Sequence, residues 1–152
     1  MKILFASDIH GSAYYCRRLL DIYKETKASR MVILGDILYH GPRNDLPREY
    51  APKQVISMLN DMKKEIYAVR GNCEAEVDQM VLQFPVMADY CILNLDGRTF
   101  YATHGHIYNE NNLPPIQEGG YSDPWTYPCT ESRAERRTMY FSTRVLFPFQ
   151  KK

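Results

Sequence analysis

The sequence predicts an α/β fold on three observations. Apolar runs at residues 2–7, 30–35 and 65–70 are separated by segments of helical periodicity. Each run is apolar nearly throughout, the pattern of parallel strands covered on both faces. Polar turn residues close each run, and the intervals are long enough for a helical crossover. At 152 residues the chain reads as one domain. A chain of that size buries roughly two thirds of its unfolded surface and needs no staples.

Taken in order, Lys2 to Ser7 is a short strand that stops at Asp8. Ser12 caps a helix running to about Lys27, in which Tyr15, Leu19, Ile22 and Tyr23 recur at helical spacing. "RMVILG", Arg30 to Gly35, is the second strand. The loop "YHGPRNDLPREYAP" follows, rich in Pro and charge. Pro52 opens a helix to about Lys64, with Val55, Ile56, Leu59 and Met62 on one face. "EIYAVR", Glu65 to Arg70, is the third strand, and Glu74 to Gln83 a short helix. "YCILNL" and "RTFYAT" alternate across Asp96-Gly97, a two-residue hairpin signal. Right-handed crossovers bring the carboxyl ends of the parallel strands to one edge, where ligands gather in such sheets.

A net charge of +1 creates no demand for nucleic acid or an anionic membrane as partner. No apolar run approaches the ~20 residues of a membrane span. Met1-Lys2-Ile3-Leu4 is too short and too soon polar for a signal peptide. Cys16, Cys73, Cys91 and Cys129 form neither a C-x-x-C pair nor a zinc-ribbon spacing. They read as reduced thiols of a cytoplasmic protein.

Four polar clusters fall at the strand ends: Asp8-x-His10, Gly35-Asp36, Gly71-Asn72-Cys73-Glu74 and Thr103-His104-Gly105-His106. Any one of them alone is commonly a turn with a satisfied side chain. Four at successive strand ends, all built of Asp, His and Asn, point to one binuclear metal site. Parallel strands lie ~4.8 Å apart, and paired hydrolytic ions roughly 3.5–4 Å apart. One carboxylate from a central strand can therefore touch both ions. Mixed imidazole, carboxylate and amide ligands suit Mn²⁺, Fe²⁺ or Zn²⁺.

The order D-x-H, G-D, G-N, H resembles that of the calcineurin-like metallophosphoesterase superfamily. "FASDIHGS", "VILGD", "HGPRNDLPREYAP", "AVRGNCEAEVDQM" and "THGH" resemble its YfcE-type bacterial phosphodiesterases over residues 1 to 118. The resemblance implies a layered sandwich, a sheet flanked by helices, and hydrolysis of a small phosphodiester. It implies two divalent ions, Mn²⁺ first, with Fe²⁺, Zn²⁺ or Ni²⁺ as alternatives. Asp8 and His10 would hold one ion, Asn72 and His104 the other, and Asp36 would bridge them. A metal-bound hydroxide would attack phosphorus, with Asp36, Asn72, Cys73 and His104 as the catalytic group. The family usually carries His after the G-N, placed to help the leaving group; Cys73 stands there, as in the YfcE-like subgroup. A thiol is a poorer proton donor, which favours good leaving groups. Arg43 and Asn44 would meet the substrate phosphate, with a solvated loop as the alternative. His106 is either substrate-facing or a turn histidine. His40 reads as a loop residue, Cys16 and Cys91 as core or surface thiols, and Tyr14, Tyr15 and Tyr23 as packing.

The resemblance breaks after Gly119. The family's fifth motif, G-H-x-H, gives each metal a further histidine, and residues 119–152 contain no histidine. The domain is thus expected at 1–118, with an atypical tail at 119–152 and the C-terminal strands truncated or disrupted. Back-translated and read one nucleotide later, "YSDPWTYPCT" permits Asp-Ile-Leu-Ile-His-Gly-His-Thr-His-Ala, so a frame change near residue 119 is one account. Weakened metal binding and impaired catalysis follow from the missing ligands. Crowded carboxylates at Asp8, Asp36 and Glu74 should titrate higher. An uncovered apolar sheet face would favour a homo-oligomer. The competing readings are a non-catalytic protein-binding scaffold of the same fold and an inactive product of a frameshifted gene. The physiological substrate is not legible.

Overall fold

The computed structural model describes residues 2–95, 98–109 and 112. The tail at 119–152, its suggested frame change and the Asp96-Gly97 turn lie outside the described residues. Three parallel strands, β1 (Ile3–Ala6), β2 (Arg30–Ile33) and β3 (Ile66–Ala68), form one sheet with β2 in the middle. The register pairs Phe5 with Val32 and Ile33 with Ala68. Helix α1 (Ala13–Thr26) links β1 to β2, and α2 (Pro52–Asp61) links the long loop to β3. The short helix α3 (Glu76–Val81) leads to the antiparallel hairpin β4 (Cys91–Leu95) and β5 (Arg98–Ala102).

Period-two alternation sorts the apolar strand residues onto two faces. Ala6, Met31, Ile33, Ile66 and Ala68 pack with Cys16 and Leu19 of α1 and Val55 and Leu59 of α2. Phe5, Val32, Leu34 and Val69 form a second cluster with Ala102, against which Cys91 and Leu93 of the hairpin pack. The continuous apolar runs therefore mark strands with both faces covered. Cys16 is fully buried, and burial pushes its thiol up to about 12. Tyr23 packs in the same core and donates to Glu65 at 2.7 Å. Tyr14 instead lies under the Arg48 guanidinium, 3.8 Å from ring centroid to Cζ. At the outer margins Tyr67 and Ile92 are 48% and 49% exposed.

Local chemistry fixes the element ends. Ser12 caps α1 by accepting the Tyr15 amide at 3.2 Å and donates to the Arg48 carbonyl at 2.5 Å, which ties the cap to the 40–51 loop. Lys27 closes α1 in the left-handed region. Helix α2 stops at Asp61, short of the expected Lys64, because Met62 and Glu65 close tight turns onto Leu59 and Met62 carbonyls. Helix α3 starts at Glu76, not Glu74. The Glu74 carboxylate is engaged elsewhere, and Asp78 caps the Ala75 amide at 2.8 Å.

Candidate metal centre

The site is built by bending three strand ends. Asp8, His10 and Asp36 all lie in the left-handed region, with φ of 59°, 49° and 55°. A non-glycine residue held so costs roughly 1–3 kcal/mol and needs support from its surroundings. Backbone lacing supplies it. Asp8 donates to the Gly35 carbonyl at 3.1 Å, His10 to Asp36 at 2.8 Å and Gly11 to Ile37 at 2.8 Å. The first loop thus runs hydrogen-bonded along the second. Gly71 closes the third side. A Cβ there would collide with Asp36 Oδ1 and the Asp36 amide, so the third loop needs glycine to come this close.

Both histidines are held by the nitrogen they do not need. His10 Nδ1 lies 2.7 Å from the Tyr39 carbonyl, and His104 Nδ1 lies 2.7 Å from the Leu34 carbonyl. A carbonyl only accepts, so each Nδ1 carries hydrogen and each Nε2 is left to face the centre. His10 Nε2 lies 3.4 Å from Asp8 Oδ1 and 3.6 Å from Asp36 Oδ2. His104 Nε2 lies 3.7 Å from Asp36 Oδ2 and 3.1 Å from Asn72 Oδ1. Asp36 is 2% exposed, and its Oδ1 accepts the Cys73 amide at 2.9 Å. Oδ2 is the oxygen left between the two imidazoles.

The donor set suits divalent cations. Ligand atoms of Asp8, Asp36 and His104 lie within 4.8 Å of one another, as do those of His10, Asp36 and Cys73. Two carboxylates and two oriented imidazole nitrogens converge there. Asp8, His10, Asp36, Asn72 and Cys73 line one cleft, closed on the other side by Gly41, Pro42, Arg43 and Asn44.

Electrostatics in the cleft correct one expectation. Burial raises the Glu74 carboxyl, outweighing three backbone hydrogen bonds, and the Asp36 charge adds to the rise. Asp8 goes the other way. Burial pushes it up, but hydrogen bonds from His10 and Ser7 and the His104 charge carry it below its ordinary value. Ser7 Oγ donates to Asp8 Oδ2 at 2.5 Å. His10 is raised, first by its hydrogen bond to Asp8 against burial, then by the Tyr39 carbonyl and both carboxylates. Burial and the Asp36 and Glu74 carboxylates push the Cys73 thiol up to about 12, so it is neutral at ordinary pH.

Of the other sequence-predicted residues, Arg43 and Asn44 reach the cleft wall. The Asn44 amide anchors that loop by donating to the His40 carbonyl at 2.9 Å. His106 is exposed and stacks edge-on with His104, centroids 5.2 Å apart. Burial, His104 and Arg70 lower its pKa. His40 lies edge-on between Tyr39 and Tyr50 and contributes no atom to the ligand groups. Sequence reasoning missed Ser7, the two backbone carbonyls and the backbone-binding role of Glu74.

The family model for calcineurin-like phosphoesterases matches residues 1–137. The chain belongs to the calcineurin-like phosphoesterase family. It is 44% identical over 140 residues to phosphodiesterase YfcE of Escherichia coli K12 and of the O6:H1 and O157:H7 strains. The matches cover 89% of this chain and 74% of each relative. A solved structure of YfcE, a phosphoesterase from E. coli, superposes with a TM-score of 0.74 at 47% identity, over 78% of this chain and 65% of that one. The chain thus spans just under two thirds of that structure. Its α/β sheet and helices are those of the metallophosphoesterase fold, as the sequence led one to expect. Among the described residues no helix is long and apolar enough to cross a membrane.

Proposed function

We propose that this protein is a metal-dependent phosphodiesterase acting on a small phosphodiester through two divalent ions, Mn²⁺ foremost. One observation carries the reading: Asp36 Oδ2 stands 3.6 Å and 3.7 Å from the Nε2 atoms of His10 and His104, while Oδ1 is held by the Cys73 amide. One carboxylate oxygen would then serve both cations, with Asp8 and His10 completing one position and Asn72 and His104 the other. When bound, such ions supply an acidified water and neutralise charge on the phosphoryl oxygens.

The chain's own residues do the rest. Arg43 and Asn44, on the opposite wall, would hold and orient the phosphate. Asp8, kept anionic by Ser7 and His10, holds negative charge where a cation is needed. His106 faces solvent beside His104 and would meet the outer part of the substrate. Cys73 lines the cleft and would stand where a proton donor could help a departing alkoxide, but a thiol pushed up to about 12 would give little help. The reading therefore favours leaving groups that depart as stable anions. The absence of a G-H-x-H motif leaves each cation one imidazole short, so we place the activity below that of relatives carrying it. We assign the protein to the cytoplasm, where thiols such as Cys16, Cys73 and Cys91 stay reduced.

The test is hydrolysis of bis(p-nitrophenyl) phosphate with Mn²⁺ added, then with the metal chelated. Turnover that appears with Mn²⁺ and vanishes with chelator supports the reading. No turnover at any metal concentration, with the protein folded, refutes it.

A further inference from the structure

Glu74 follows Cys73 directly but does not face the cleft. Its carboxylate turns back under the loop and accepts three backbone amides. Oε2 takes the Asp36 N–H at 2.8 Å and the Gly71 N–H at 2.6 Å, and Oε1 takes the Ile37 N–H at 2.7 Å. The Asp36 and Ile37 amides belong to the two peptide planes that flank the Asp36 Cα. One carboxylate therefore pins both planes, and with them the φ and ψ of Asp36. That matters because Asp36 sits at φ 55°, a region that relaxes unless held. Asp36 returns the contact by accepting the Cys73 amide at 2.9 Å. The β2 and β3 loops thus exchange carboxylates across Gly71. A Cβ at Gly71 would stand 2.9 Å from Glu74 Oε2 as well as striking Asp36, so the junction has no slack.

We propose that Glu74 is a positioning residue: by fixing both peptide planes around Asp36 it aims Oδ2 midway between His10 and His104 and so couples the two cation positions. The inference rests on Asp36 as the shared ligand, as proposed above. Oδ1 is spent on the Cys73 amide, so a small rotation of Asp36 carries Oδ2 toward one imidazole and away from the other. Loss of Glu74 should therefore uncouple the pair. A simple loss of structural support would lower stability and leave the centre of the folded protein unchanged.

The test is electron paramagnetic resonance of the protein loaded with Mn²⁺, wild type against Glu74→Gln. Glutamine keeps the volume but turns an N–H donor toward at least one of the three amides. The wild type should give the spectrum of an exchange-coupled Mn²⁺ pair. Glu74→Gln should give isolated ions and a second-ion affinity weaker by about 10–100-fold, the cost typical of losing a partner that orients a ligand. A coupled wild type with an unchanged Glu74→Gln spectrum overturns the role of Glu74 alone. An uncoupled wild type refutes the shared Asp36 beneath it, and the coupling role falls with it. If Glu74→Gln does not fold, hydrogen exchange of the wild type decides. The Asp36, Ile37 and Gly71 amides should be protected as strongly as those of β2, and exchange at the rate of an open loop overturns the proposal.

Discussion

The two sides of the centre rest on unequal foundations. Asp8, His10 and Asp36 leave the ends of β1 and β2, backed by the large cluster that joins the sheet to α1 and α2. Their backbone is laced loop to loop through Gly35, Asp36 and Ile37 carbonyls. His104 arrives from the hairpin, which meets the sheet through a much smaller cluster around Phe5, Val32, Leu34, Val69 and Ala102. Its partner Asn72 is exposed at the tip of the third loop. The contrast teaches that one of the two proposed cation positions would be built into the core of the fold, while the other would depend on docking a peripheral hairpin. In the proposed reading Asp36 is what would make them a single site.

Breaking that link should have the largest effect. Asp36→Ala should abolish binding of both ions and reduce turnover by more than the ~100-fold that loss of an orienting partner alone can cost. Calorimetric Mn²⁺ titration checks it, and survival of one tight ion would show that the two sides do not share the residue. His104→Ala should be milder, removing the ion on the hairpin side and leaving the Asp8–His10 ion in place. Turnover should fall by at least about 10-fold, with stoichiometry dropping from two to one.

The acid dependence sharpens the contrast, because the raised imidazole lies on the core side. His10 lies above its ordinary 6.5, so its protonated form stabilises the metal-free fold below 6.5. That contribution is lost as pH rises through the raised value. A cation must displace this proton, so metal affinity at the Asp8–His10 position should climb by up to about tenfold per pH unit below the raised value, then level off. Asp8 lies below 3.8, so its contribution is present above 3.8 and disappears only as pH falls through the lowered value. Mn²⁺ titrations at several pH values check the first. Affinity independent of pH below 6.5 would contradict it.

Two smaller effects concern the substrate. Arg43→Ala should raise KM by roughly tenfold, the worth of one hydrogen bond to a charged group, with kcat little changed. Cys73→Ser should matter least. A thiol near 12 is no working acid, so its loss should cost far less than the about 10²–10⁴-fold expected for a true general acid. Steady-state kinetics on an aryl phosphodiester distinguish the two.

Much of the candidate site was legible in the sequence because ligand chemistry restricts residue type. Asp8, His10, Asp36, Asn72 and His104 stand at strand ends as carboxylate, imidazole or amide, and the apolar runs place those ends on one edge. The remainder was hidden for physical reasons. The groups that orient His10 and His104 are the carbonyls of Tyr39 and Leu34, and a carbonyl leaves no mark in residue identity. Asp8 was expected to titrate high among carboxylates. It titrates low because Ser7 and His10 hydrogen-bond to it, a competition that depends on angstroms rather than on order. Glu74 was read as the start of a helix, and its grip on three amides moved that start to Glu76. A carboxylate three residues after a glycine at a strand end was the available signal.

The most direct test of the centre is anomalous diffraction from crystals of this protein soaked in Mn²⁺. Two peaks about 3.5–4 Å apart should flank Asp36 Oδ2, one against Asp8 and His10 and the other against Asn72 and His104. A single peak that Asp36 does not touch, or two peaks with no shared carboxylate, would contradict the account.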